Sequence, residues 1–156
     1  SFFHASNFSI GVNILFAMNR QLARIMDRFP AYTVSMEEVH HIHKLDAPSG
    51  TAISLAEQIL EESSRLKSWS LLQGKPHQEL SRAEPYQHQS EVLPIRAIRE
   101  GEAKGSHSLV YESELDSISL THEAKSRDAF AKGALLAAEF LQGKKGVYGM
   151  QDLLKL

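Results

Sequence analysis

The sequence predicts an α+β domain: a mixed or antiparallel sheet of about four strands with helices packed on one face. Three observations carry that reading. Helix-period and strand-period segments follow one another as helix, strand, helix, three strands, helix. The last three strands run together with no helix between them, which favours antiparallel or mixed pairing over an alternating parallel sheet. No Gly-rich strand-turn-helix fingerprint occurs, so no complete dinucleotide-binding unit is expected within these residues.

Each element has its own signals. Phe2 and Phe3 look like strand residues entered midway. The first helix is expected over residues 10–29, where Val12, Leu15, Leu22, Ile25 and Met26 share a face, Asn7 or Ser9 can cap, and Pro30 follows. In AYTVSMEEVHHIH, Tyr32, Val34, Met36 and Glu38 alternate with Thr33, Ser35, Glu37 and Val39, as in a strand. A second helix over residues 51–66 carries Ile53, Ala56, Ile59 and Leu60 on one stripe. Residues 74–91 are polar, hold two prolines and show no period, so they read as a long loop. VLPIRAIRE, SHSLVYES and DSISLTHEA are three strands, the last two joined by a hairpin around Glu114 and Leu115. The third helix, residues 126–142, presents Phe130, Ala134, Ala137, Ala138 and Leu141. Asp128 suits its positive end and Gly143 its stop. GVYGMQDLLKL adds a short tail helix.

Composition narrows the function classes. At 156 residues the chain suits one domain with a real core. A net charge of −2 argues against a nucleic-acid binder, which needs a basic excess. With no cysteine, disulfides and thiolate metal sites are excluded. No apolar run approaches the ~18 residues of a membrane span. The first residues lack the basic and apolar regions of a signal peptide.

The densest chemistry lies in EEVHHIHKLDAPSGTA, residues 37–52. Pro48 restricts Ala47, Gly50 permits a sharp turn, and Ser49 or Thr51 can cap the helix that follows. The free N–H groups of that helix start, with the hydroxyls, form an anion site; an ordinary capped turn fits the same residues. On a regular strand His40 and Lys44 would stand about 13 Å apart. A shared site therefore requires the strand to end or bend near Ile42. His41 and His43 form a His-x-His pair that suits zinc, with His107 or His122 as a third ligand, but Lys44 places an unfavourable charge beside it. Arg127 opposes the dipole preference at its helix start, so it either serves something outside the helix or is simply a surface residue.

From Glu38 to Ala52 the segment is similar to the signature of the dihydrodipicolinate reductases, E-x-H-H-x-x-K-x-D-x-P-S-G-T-A, at every fixed position. HASNFSIGVN resembles the family's interdomain segment, and REGEAKGSHSLVYES, SLTHEAKSRDAFAKGALLAAEFL and GKKGVYGMQDLL resemble its later strands, helix and tail. The resemblance covers nearly the whole chain except the polar stretch around residues 62–91.

The resemblance implies a reductase of the lysine and diaminopimelate pathway. It would transfer hydride from NADPH or NADH to a cyclic imine dicarboxylate, in the cytoplasm, as a homotetramer joined through the sheet, with no nucleic-acid or membrane partner. It implies His40 and Lys44 as catalytic. His41, Ser49, Gly50 and Thr51 would hold substrate. Ala5, Ser6, Asn7 and Phe8 would meet the nicotinamide end of the cofactor, with Arg127 and Phe130 approaching from this domain; no metal is implied. Residues 1–9 would be an interdomain segment, 10–142 the substrate-binding and oligomerisation domain, and 143–156 a tail. The family's nucleotide-binding domain is absent from these residues, so the piece alone is expected to be inactive. Two other readings stay open: a stand-alone dicarboxylate-binding or assembly domain, and a zinc hydrolase built on His41 and His43.

Overall fold

The computed structural model describes residues 1–72 and 91–156. The loop expected over residues 74–91 lies, apart from Glu91, outside the described residues. The elements are β1 (Phe2–Phe3), α1 (Ile10–Met26), β2 (Thr33–His40), α2 (Gly50–Glu62), β3 (Ser68–Leu72), β4 (Val92–Arg99), β5 (Ser106–Glu112), β6 (Ser117–Glu123), α3 (Asp128–Phe140), β7 (Val147–Tyr148) and α4 (Met150–Leu154).

The main sheet is mixed, in the order β3-β4-β2-β5-β6. β3, β4 and β2 run parallel, while β5 and β6 pair antiparallel. Alternation in β2 buries Val34, Met36 and Glu38 on one face. The register sets Met36 between Ile95 and Leu109, and all three side chains are fully buried. Leu15, Ala23 and Met26 of α1, with Ala52, Leu55, Ala56 and Ile59 of α2, close the core over this face. Each large apolar side chain buried there contributes about 1.5–3 kcal/mol. Buried Asn19 ties the two helices together, its Nδ2 donating to Leu55 O at 3.0 Å and Gln58 Oε1 at 2.9 Å.

Four features differ from expectation. The sheet has five strands rather than about four, because β3 forms its edge. Residues 63–66 do not continue α2: Ser63 Oγ accepts from the N–H groups of Arg65 and Leu66, a local alternative to helix bonding. A separate two-stranded parallel sheet joins β1 to β7. Finally, α3 adds nothing to the core cluster beneath the sheet; it packs on α1 and α4. Gly133 brings it against the segment before α1, where an added Cβ would lie 1.7 Å from the Phe8 carbonyl oxygen.

Candidate active site

The strand carrying the histidines ends where the site needs it to. β2 stops at His40, whose carbonyl accepts from Glu100 N–H at 2.8 Å. The chain then turns: Ile42 N–H bonds Gly101 O and Lys44 N–H bonds His41 O, both at 3.1 Å. His40, His41 and Lys44 therefore line one cleft of about 470 Å³. His43 lies apart from it, exposed and 3.5 Å from Glu102.

The opposite wall is the start of α2. The Ala47–Pro48 peptide is cis. Ser49 caps the helix, its Oγ accepting from Ala52 N–H at 3.2 Å. Gly50 and Thr51 follow on the cleft wall. A Cβ at Gly50 would meet nothing within 4 Å among the described residues, so the helix start is open on that side. Its first N–H groups have no partner within the helix and carry the positive dipole end. Lys44 Nζ is held by both oxygens of Asp46 at 2.8 Å. That hydrogen bond keeps the Asp46 carboxyl below its usual range.

Ser6, Asn7, Arg127 and Phe130 line the same cleft. Asn7 Nδ2 reaches Thr51 Oγ1 at 3.4 Å, and Asn7 Oδ1 accepts from Ser9 N–H at 2.8 Å. Ala5 lies instead on a neighbouring cleft with His4 and Arg20. Phe8 is absent from both walls; its ring packs 5.9 Å from that of Phe3. Phe16, Ser54 and Lys104 also line the main cleft and were not singled out from sequence.

Behind the cleft lies a buried carboxylate, Glu38, with no exposed side-chain surface. Its oxygens accept from Ser49 N–H at 3.1 Å, and Arg99 Nη2 lies 3.1 Å from Oε1. Oε2 is 3.6 Å from both His40 Nδ1 and His107 Nε2. His107 Nε2 also meets Ser49 Oγ at 3.1 Å. Burial alone would raise the Glu38 carboxyl, but interactions with His107, Ser49 and His40 outweigh it and hold the group at about 2. Burial dominates at His40: with His107, Lys44 and Arg99 it outweighs the attraction of Glu38 and lowers the imidazole to about 4.

Sequence reading gave Arg99 no role and considered His107 only as a metal ligand. Their place depends on strand register, which pairs Glu38 with His107 and His40 with Arg99. That pairing spans some sixty residues and leaves no local signal. It also rearranges the zinc alternative. The rings of His41 and His43 stand 6.1 Å apart, and His122 lies against Gly11. Among the described residues, the three groups close enough to share an ion are Glu38, His40 and His107. The Glu38 oxygens there already serve Arg99 and the Ser49 N–H, so this set does not suit a resident cation.

Comparison with known proteins places this geometry. The family described as "Dihydrodipicolinate reductase, C-terminus" matches residues 11–154. A 4-hydroxy-tetrahydrodipicolinate reductase of Christiangramia forsetii is 46% identical over 154 residues, which are 99% of this chain and 59% of that protein. One from Methanopyrus kandleri is 41% identical over 95% of this chain and 50% of its own length. Among solved structures, a dipicolinate-bound dihydrodipicolinate reductase from Paenisporosarcina sp. TG-14 superposes with a TM-score of 0.65 at 27% identity, over 96% of this chain and 53% of that one. The chain thus spans between half and three-fifths of the length of these relatives.

Proposed function

The chain belongs to the dihydrodipicolinate reductase family, and on that premise we propose that it is the substrate-binding domain of an NADH- or NADPH-dependent 4-hydroxy-tetrahydrodipicolinate reductase in lysine and diaminopimelate biosynthesis. The observation that carries this reading is one cleft walled by His40, His41 and Lys44 on one side and the open start of α2 on the other. A cyclic dicarboxylate needs cations and N–H donors at both ends, and its reduction needs a proton where hydride does not add.

The hydrogen bonds divide the labour. Ser49 commits its N–H to Glu38, and its Oγ meets Ala52 N–H and His107, so it shapes the cradle. Gly50 and Thr51 supply the N–H groups that take one carboxylate. Lys44 and His41 take the other. Lys44 Nζ is the proton donor, and His40, left uncharged by burial at neutral pH in the ligand-free cleft, becomes its charged partner when a dianion arrives. Proton donation of this kind is worth about 10²–10⁴-fold in rate.

The cofactor fits the remaining wall. Arg127 has no ion-pair partner among the described residues and faces the cleft with Ser6, Asn7 and Phe130. These residues would hold the nicotinamide end, and Ala5 and Phe8 would support them from behind. When bound, the nicotinamide supplies the hydride. Most of the nucleotide would rest on a domain outside these residues, so the 156 residues alone should bind it negligibly and show no turnover.

The reading extends to a cytoplasmic homotetramer assembled through the sheet. No helix of the described residues is long and apolar enough to cross a membrane. On the sheet face away from α1 and α2, Val39 pairs with Ile98, and Val110 stands among Ser35 and Ser119. Packing against a second copy would cover these residues. Light scattering should give a mass well above 17.4 kDa; that monomer mass at tens of micromolar protein would exclude assembly through this sheet.

Chemical-shift mapping with pyridine-2,6-dicarboxylate tests the substrate reading. Perturbations should centre on Lys44 and residues 49–51. None at millimolar ligand, or a centre elsewhere, would overturn it.

A further inference from the structure

Glu38 has no ligand-facing role so far, yet its buried carboxylate meets Ser49, Arg99, His40 and His107. It sits at the junction between the anion cradle and the histidine that faces the ligand. Ser49 N–H and Arg99 Nη2 hold its carboxylate at 3.1 Å, so its orientation is not free to change. Arg99 is itself pinned, donating to the carbonyl oxygens of Asp46 at 2.6 Å and Lys44 at 3.3 Å. The carboxylate thus braces the turn that carries Lys44.

Toward His40, Oε2 stands 3.6 Å from Nδ1, slightly beyond a hydrogen bond. Nδ1 is shut off from solvent and has no hydrogen-bond partner among the described residues. Nε2 lies beside Gly105, where an added Cβ would come within 3.1 Å, and is the nitrogen left for the cleft. A bare Nδ1 lone pair aimed at a carboxylate is repulsive, whereas Nδ1–H aimed at it is attractive. Four charged or titratable groups act on this ring: Glu38 from its own strand, His107 from β5, Arg99 from β4 and Lys44 from the turn. Glu38 alone favours a proton there; the other three oppose it.

We propose that Glu38 is the positioning residue of His40: it fixes the imidazole with Nδ1–H inward and Nε2 toward the ligand, and it stabilises the imidazolium that forms when a dicarboxylate enters the cleft. The second half rests on the substrate reading above; the first does not. Ligand charge arrives on the Nε2 side, His40 takes up a proton from bulk solvent, and the 3.6 Å approach closes to a charge-assisted hydrogen bond. Ser49, capping α2 and bonded to the same carboxylate, couples cradle and proton carrier in one rigid unit.

Histidine-selective ¹⁵N NMR on the 156-residue chain tests this, with pyridine-2,6-dicarboxylate as the probe. In the ligand-free wild type at pH 7, His40 should be the Nδ1–H tautomer. Saturating dicarboxylate should raise its proton affinity at least tenfold, read as a midpoint shift of one pH unit or more. In Glu38→Gln the ligand-bound midpoint should fall by at least as much. An Nε2–H tautomer in the wild type overturns the proposal, whether or not the variant folds. So does a folded Glu38→Gln chain with an unchanged ligand-bound midpoint. If the probe perturbs no cleft resonance, the substrate reading fails and the proposed imidazolium role falls with it, while the ligand-free tautomer still decides the orienting role.

Discussion

Replacing Ser49 with alanine tests whether this residue joins the anion cradle to the histidine cluster. Two bonds are lost. The Ala52 N–H loses its cap at 3.2 Å, which costs about 1 kcal/mol. His107 Nε2, buried on β5, loses its 3.1 Å partner, and an unsatisfied buried group costs about 1–3 kcal/mol. Together these remove about 2–4 kcal/mol, which for a domain of this size lowers Tm by roughly 5–15 °C. Glycine separates the two losses, since Gly at a cap position costs only a few tenths of a kcal/mol relative to Ser. Ser49→Gly should therefore show mainly the His107 loss. The single tryptophan, Trp69, packs against the core from β3 and reports urea unfolding by fluorescence. Measurements belong at one protein concentration, because an oligomer's stability depends on it. A Ser49→Ala chain within about 0.5 kcal/mol of wild type, at unchanged m-value, would mean that neither bond matters and that the coupling is wrong.

Acid should destabilise the fold in two stages. His40 titrates at about 4 when folded against 6.5 when unfolded. The unfolded chain thus binds more protons between those values, and stability falls by about 3 kcal/mol as pH drops from 6.5 to 4. Glu38, at about 2 folded against 4.5 unfolded, contributes stability present above 4.5 and lost by a similar amount as pH falls through 2. A urea midpoint that does not change between pH 7 and pH 4.5 would contradict the His40 part. Gly133→Ala should cost about 3 kcal/mol or more, because its Cβ would overlap the Phe8 carbonyl; an unchanged melting temperature would show that α3 can move away freely. Lys44→Ala should weaken dicarboxylate binding at least tenfold by calorimetry while leaving the melting temperature within a few degrees, since its partner Asp46 is exposed. Equal affinity would remove Lys44 from the site.

Local chemistry made much of this protein readable from its sequence. The alternation through Val34 and Met36 predicted β2, and the apolar stripes predicted α1 and α2, because burying one face is a property of each element alone. The residues 49–51 turn was legible for the same reason: proline, a capping serine and glycine act within a few positions. β3 escaped because five residues at a sheet edge give too short a pattern, and Leu66 resembled one more helical position. The partition of apolar strand residues also needed the tertiary pairing. Ile95, Leu109 and Tyr111 turn to the helices, while Ile98 and Val110 share the opposite face. The deeper layer of the site lay beyond sequence altogether. Whether His40 and Lys44 share a cleft depends on the strand ending at His40, in a turn tied to Gly101 of the β4–β5 connection. Whether Glu38 is a surface acid or a buried hub depends on β4 and β5 bringing Arg99 and His107 to it. Spacing along the chain places a residue on a face of its own element, but the charges it meets there, and so its protonation, come from elements that only folding brings alongside.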